Sequence, residues 1–395
     1  MAALRDLVRD AREAKIWKAA NARLVASQII RSRPSRGSTS SDQEHLLAAV
    51  DWLLQAQDAS GDGGVCGRYH LGRGWTSSYP ETTGYIIPTF LALAERLGDD
   101  DFRRRAGMAA DFLRSLQLPA GGFPGLEVAD NRSEPSPFNT AQIIHGLIAW
   151  HKHSGDERVL QALLRAGEWL VSIQDPDGAW TRHFYENTAG AYSAHLSCWL
   201  VDLGRHAGRG DFLEAGNRNM DWVFRHYDAG TGWFGLSGFT REDHAARRAL
   251  THTIAYTLWG VLHACEGLGR KDGRPAIEKA SEGIMGRLEQ EGWIPGILDS
   301  QWRGQATFAC LTGNAQLALI WFRLFEANRQ ERYRAAALRA VELVKRAQPL
   351  THPHPGIRGG IPGSHPIWGD YLTMALPNWA AKYFIDALLK KAASE

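Results

Sequence analysis

Along the 395-residue chain, apolar positions fall into two alternating kinds of segment. One kind carries a single stripe: Phe102, Ala106, Ala109, Leu113 and Leu116 recur at the three- and four-residue steps of a helix with one buried face. The other is apolar nearly all round, as in "GYIIPTFLALAERLG", "AQIIHGLIAWHKHSG" and "TIAYTLWGVLHACEGLG", and such helices belong inside. Each striped segment ends in a marker followed by a Gly/aromatic loop. The markers Gln57, Gln117, Gln174, His226, Gln290 and Gln348 are 60, 57, 52, 64 and 58 residues apart. Short polar turns such as "GDDD" and "SGDER" lead back from each inner helix to the next outer one. Six outer and six inner helices in alternation predict an all-α fold, an (α/α)6 toroid over residues 42–395, with strands confined to hairpins in the long loops. Residues 1–32 read as one basic amphipathic helix and residues 31–41 as a polar linker, so the expected division is 1–41 and 42–395.

Composition narrows the partners. With 45 basic and 43 acidic side chains the formal charge is +2, which supplies no global field for nucleic acid. The N-terminus has charges throughout and no long apolar run, so neither a signal peptide nor an integral membrane segment is expected. Cys66, Cys198, Cys265 and Cys310 form no C-x-x-C pair, which fits reduced thiols and a cytoplasmic location. Fifteen tryptophans with 41 glycines suit flat, hydroxylated ligands such as sugars, although most of these rings are expected in the core.

The toroid places the N-termini of all inner helices on the long-loop face, where their dipoles and free N–H groups favour anions. Every long loop carries arginine, a bidentate partner for carboxylates: Arg68 and Arg73, then Arg132, Arg182, Arg241, Arg303 and Arg358. Tyr69, His70, Trp75 and Asn139, with His252, Asn314, Trp368 and Asp370, complete the expected substrate-binding set. For proton transfer the candidates are Tyr79, Glu81, His183, Tyr185, Tyr192 and His195. Glu81 has a second reading, because Ser78-x-x-Glu81 with Pro80 in the first turn is a capping box. The helix end favours its ionised form, which points to a base or a ligand-binding group rather than an acid. Paired with Asp243 or Asp370 it would suit a glycosidase. No metal-ligand pair at helical spacing occurs, and neither a metal nor a cofactor is expected. The acidic run Asp99–Asp101 falls in a turn on the opposite face and reads as a helix start.

The endings "QLPAGGF" and "QDPDGAW" resemble the repeat of prenyltransferases and triterpene cyclases, whose fold is an α/α barrel, but the D-x-D-D acid motif of the cyclases is absent from the cavity side. The segments "SSYPETTGYIIPTF" and "LTGNAQLALIWFRLF" are similar to α/α-toroid carbohydrate-active proteins, namely D-glucuronyl C5-epimerase-like proteins, polysaccharide lyases and uronyl hydrolases, and to bacterial proteins associated with exopolysaccharide production. This resemblance implies an enzyme that abstracts H5 from an anionic, uronate-containing poly- or oligosaccharide, as an epimerase or a lyase. Arginines and helix ends would neutralise the carboxylate, and Tyr79, Tyr185, Tyr192, His183 and His195 would move protons. A hydrolase, a non-catalytic saccharide binder and a terpenoid cyclase-like enzyme are the alternatives. The basic N-terminal helix offers a docking element for the barrel or for a second copy in a homodimer.

Overall fold

The marker glutamines explain why the repeat exists. In the computed structural model, which describes residues 9, 12–31, 40–130 and 133–394, Gln117 Nε2 donates to Gly121 O of its own loop and to Ala162 O of the next outer helix, both at 2.8 Å. Gln174 does the same with Gly178 O at 3.1 Å and Ala215 O at 2.9 Å. Gln57 reaches Gly63 O at 3.0 Å and Arg105 O at 3.1 Å. Gln348 closes the circle, donating to Gly359 O at 2.7 Å and His45 O at 3.2 Å. One amide thus shapes a loop and ties two outer helices together, which also satisfies carbonyls that burial would otherwise strand. Gln290 departs from the scheme: it is exposed, and Arg339 instead donates to Leu288 O at 2.8 Å at that seam.

After an N-terminal helix α1 (Ala19–Arg31), the outer helices are α2 (Asp42–Asp58), α4 (Asp101–Ser115), α6 (Glu157–Ser172), α8 (Gly210–Phe224), α11 (Gly273–Glu291) and α13 (Glu331–Ala347). The inner ones are α3 (Pro80–Leu97), α5 (Pro137–Ser154), α7 (Ala194–Ala207), α10 (Thr251–Leu268), α12 (Leu311–Asn328) and α14 (Asn378–Ala393), with a short α9 (Arg241–Ala245) in a loop. Each inner helix packs on the next, and α14 packs back on α3, so among the described residues the six inner helices form a closed ring. The chain is therefore an (α/α)6 toroid. Inner helices bury both faces: Leu317, Ile320, Trp321, Phe322 and Leu324 of α12 are all at most 1% exposed. Close approach needs glycine where α3 meets α5. A Cβ on Gly146 would lie 2.0 Å from Gly84 O.

Among the described residues strands are confined to the long loops. Strand β1 (Arg68–His70) pairs antiparallel with β2 (Gly74–Trp75) and with Ala375–Pro377 just before α14, Tyr69 facing Leu376, so the first and last loops are stitched together. Asp100 and Asp101 pair with Arg103, Arg104 and Arg105 at the start of α4, as a solvated helix start should.

The single helix expected over residues 1–32 is broken within its described part. Residues 14–18 form a turn with Lys15 at φ 50°, and α1 begins at Ala19. The turn docks on the barrel: Asn21 Nδ2 donates to Ala14 O (2.7 Å) and Leu71 O (3.0 Å), and Arg73 pairs with Glu13 at 2.6 Å. Most of the expected linker lies outside the described residues. Among the described residues no helix is long and apolar enough to cross a membrane, and all four cysteines are buried free thiols.

Candidate functional site

The long loops surround a cavity of about 540 Å3 that opens at the N-terminal ends of the inner helices. Glu81 lies on its wall and is 7% exposed. The capping box expected for it does not form. Tyr79 is the N-cap, Pro80 fills the first turn, and Ser78 Oγ donates instead to Asp62 Oδ1 at 2.7 Å. This frees the Glu81 carboxylate to face the cavity, where Tyr79 Oη donates to Oε2 at 2.8 Å. Asn139, its amide oriented by its neighbours, donates to the same oxygen and to Ser136 Oγ, each at 3.1 Å. Burial pushes the carboxyl up to about 7, against the lowering effect of the Tyr79 hydrogen bond. Burial therefore outweighs the helix end, and the group is poised near neutrality instead of being firmly ionised.

His252 holds the equivalent place in another repeat. Glu81 is the second residue of α3 and His252 the second of α10, the first and fourth helices of the inner ring. Helices three places apart in a ring of six are diametrically opposed, so the two side chains enter the same cavity from opposite walls. His252 Nδ1 and Gln316 Oε1 are 2.7 Å apart, which makes Nδ1 the protonated nitrogen and leaves the Nε2 lone pair without a hydrogen-bond partner among the described residues. Burial holds this ring down at about 4, despite the opposing effect of Gln316, so it is neutral at pH 7.

Between these walls stand rings. Phe138 packs edge to face on Phe184 and Tyr192, and Tyr192 on Phe239, along one side, and Trp379 Nε1 donates to Tyr371 Oη at 2.8 Å on another. Tyr85 and Tyr256 lie one helical turn below Glu81 and His252. Burial keeps the phenols of Tyr79, Tyr85, Tyr192, Tyr256 and Tyr371 neutral, raising each above its ordinary value. At the mouth, Leu126 (φ 64°), His183 (φ 64°) and Glu186 (φ 52°) occupy the left-handed region. Non-glycine residues held there cost of order 1–3 kcal/mol and cluster at functional sites.

Of the residues expected from sequence, Arg68, Tyr79, Glu81, Asn139, His183, Tyr185, Tyr192 and His252 line this cavity. His195 does not: it follows Tyr192 by three residues, sits one turn deeper, and lines a second, smaller cavity. The arginine cluster is not assembled. Arg73 is paired to Glu13, Arg241 donates to Thr188 Oγ1 at 2.8 Å, and Arg303 pairs with Asp299 at 2.9 Å. Arg182 and Arg358 are exposed away from the wall, and Arg132 lies outside the described residues. Trp75 is packed between Trp52 and Tyr69, while Tyr69 Oη reaches His354 Nε2 at 3.2 Å. His70 Nδ1 accepts from Gly72 N at 3.1 Å, and Asn314 Nδ2 donates to Cys310 O within its own helix start. Trp368 and Asp370 lie off the wall, and Asp243 is engaged in the α9 capping box and with Arg248, so neither carboxylate pairs with Glu81.

Among the described residues the one arginine on the wall is Arg68, bonded to Glu127 at 3.3 Å. Glu81, Glu127, Asp130 and Glu186 make the cavity acidic overall. Tyr85, Tyr256 and Trp379 were missed from the expected set, yet a signal existed: Glu81 to Tyr85 and His252 to Tyr256 are both steps of four, the same helix face one turn on.

No protein-family model and no curated protein sequence matches the chain. Solved structures do. An unsaturated glucuronyl hydrolase from Bacillus sp. GL1, responsible for the degradation of glycosaminoglycan, superposes with a TM-score of 0.70 at 14% identity, covering 88% of this chain and 96% of that one. Cellobiose 2-epimerase from Bacillus thermoamylovorans gives a TM-score of 0.68 at 13% identity over 88% and 97%. The cellobiose 2-epimerase of Spirochaeta thermophila gives 0.65 at 17% over 92% and 97%. At these identities the likeness establishes the toroid.

Proposed function

We propose that the protein is a saccharide epimerase or isomerase in which Glu81 and His252 move one proton across a sugar carbon next to a carbonyl. The observation that carries this reading is the placement of the two groups at equivalent positions on opposed inner helices, both facing one cavity. In one direction neutral His252 Nε2 accepts the proton from carbon while protonated Glu81 returns one to the other face. In the reverse direction ionised Glu81 accepts and protonated His252 donates. The pair carries one proton throughout; each turnover leaves it on the opposite group, and exchange with solvent returns it before the next turnover in the same direction. Tyr79 and Asn139 orient the Glu81 carboxyl, and Gln316 fixes the His252 tautomer.

The carbonyl is better supplied by the aldehyde of a neutral reducing sugar, which acidifies C2, than by a uronate carboxylate, which acidifies C5. Abstraction beside a carboxylate needs that charge neutralised. The single wall arginine already serves Glu127, and the remaining lining is acidic. Two of the superposed structures are cellobiose 2-epimerases, which agrees with this choice. The test is a panel of neutral reducing disaccharides and uronate oligosaccharides incubated in deuterated water and followed by proton NMR. Deuterium at C2 with a new epimer or ketose, and no chain cleavage, is expected. Deuterium at C5, unsaturated ends or released monosaccharide would each replace the proposal, with a uronate epimerase, a lyase or a hydrolase respectively.

A further inference from the structure

Beneath Tyr85 the barrel axis holds a second cavity, of about 130 Å3, to which every inner helix contributes a residue. Its hydrogen-bonding is lopsided. Lys382, 5% exposed, pairs with Asp386 Oδ2 at 2.7 Å and otherwise lies over the rings of Tyr383 (4.1 Å) and Tyr85 (5.2 Å). Gln142 is fully buried and its Nε2 has no partner among the described residues; the same holds for Trp259 Nε1 and for Nδ1 of His195, which is 3% exposed. An indole N–H can only donate.

The carboxylate and amide acceptors on this wall are taken; beside them stand His145 and His195, whose neutral imidazoles each offer one acceptor and one donor nitrogen. Gln142 Oε1 receives Trp199 Nε1 at 3.1 Å, and Gln316 Oε1 receives His252 Nδ1. Asp386 Oδ1 receives Thr89 Oγ1 at 2.8 Å while Oδ2 holds Lys382. A buried donor without a partner costs about 1–3 kcal/mol, and native interiors rarely leave several together. The guest that fits must accept several hydrogen bonds and donate few. Water donates as readily as it accepts, whereas an anion only accepts.

We propose that this cavity is a site for a small monovalent anion, a halide or a short carboxylate, held by Lys382, Gln142 Nε2 and Trp259 Nε1. Among the described residues Asp386 is the one carboxylate on the wall, and its charge is offset by Lys382. The volume holds such an anion together with water molecules. The site lies one layer below the Glu81 cavity, separate from the proposed chemistry, and it stands whether or not that chemistry is correct.

An anion that binds only the folded state raises its stability in a saturable way. The experiment is thermal unfolding of the full chain in chloride or acetate, each replacing gluconate at constant ionic strength, with bromide-soaked crystals measured at the bromine edge. Saturable stabilisation by chloride, acetate or both is expected, with a bromide peak beside Lys382; which salt acts distinguishes a halide from a carboxylate. Gln142→Glu keeps the acceptor for Trp199 but replaces the free donor with a negative charge, and should weaken anion binding at least tenfold. Trp259→Phe removes one N–H and should weaken it about threefold or more. Equal unfolding in all three salts with no bromide peak in the cavity would overturn the proposal in favour of water. So would an anion response of unchanged affinity in both variants.

Discussion

At Glu81, burial and the hydrogen bond from Tyr79 act in opposite directions, and burial wins. The consequence for stability has a definite sign. Below pH 4.5 the carboxyl is protonated in both states; between 4.5 and about 7 the unfolded chain releases its proton while the folded one keeps it. Stability therefore falls as pH rises through that window, by about 3 kcal/mol at the plateau. Glu81→Gln preserves the shape and removes the charge. It should abolish the fall, leaving a variant more stable than the parent in urea at pH 8, while turnover drops about a hundredfold or more. A parent whose stability rises over the same window would contradict the burial argument.

On the proposed mechanism His252 sets the other limb. With Glu81 protonated below about 7 and His252 neutral above about 4, kcat/KM should be bell-shaped with its optimum between those values. Gln316→Glu places a carboxylate on His252 Nδ1, so the acidic limb should move up by about one unit or more with the basic limb unmoved. Sequence disclosed Glu81, Tyr79, Tyr192 and His252 as candidates because chemistry-bearing residues at inner-helix starts are visible in a repeat. It did not disclose that Glu81 and His252 oppose each other, which depends on counting places around a closed ring. Nor did it reveal the loss of the arginine cluster, because pairings such as Arg73 with Glu13 join segments far apart in the chain.

Among elements, the seams between hairpins carry the fold. Gln117→Ala would strand Gly121 O and Ala162 O and remove the acceptor that Arg165 uses, at a cost of about 1–3 kcal/mol, with turnover of surviving protein unchanged. Gly146→Ala drives a methyl group into the Gly84 carbonyl and forces α3 and α5 apart, so a cost at or above the usual 1–3 kcal/mol of overpacking is expected in chemical denaturation. The helices were legible because their stripes and all-round apolar runs are local patterns. The capping box at Ser78 was misread for a related reason: a four-residue motif cannot show that Asp62, sixteen residues earlier, takes the serine hydroxyl.

The whole molecule is a ring, and its closure depends on both ends of the toroid. Pairing of Arg68–His70 with Ala375–Pro377, the Gln348–His45 bond and the seat of α14 on α3 join them. Among the described residues the N-terminal segment is attached through Asn21, the Glu13–Arg73 pair and the buried side chains of Ala14 and Leu24. Removing residues 1–40 should leave a cooperatively folding barrel with a lowered Tm, whereas removing residues 378–395 should leave no cooperative transition, both read by calorimetry. The number of hairpins was open to sequence because the markers repeat, while the two stacked cavities on the axis were not, since they arise only when all the inner helices meet.

The most direct test of the proposed opposed pair is one-sided proton exchange on a sugar found to be epimerised by the wild-type protein. Each epimer is incubated separately in deuterated water with Glu81→Gln or with His252→Gln. The account predicts that each variant loses epimerisation yet still washes the proton out of one epimer only, the one facing its surviving group, and that the two variants choose opposite epimers. Exchange lost equally from both epimers in both variants, or epimerisation that continues without either group, would contradict it.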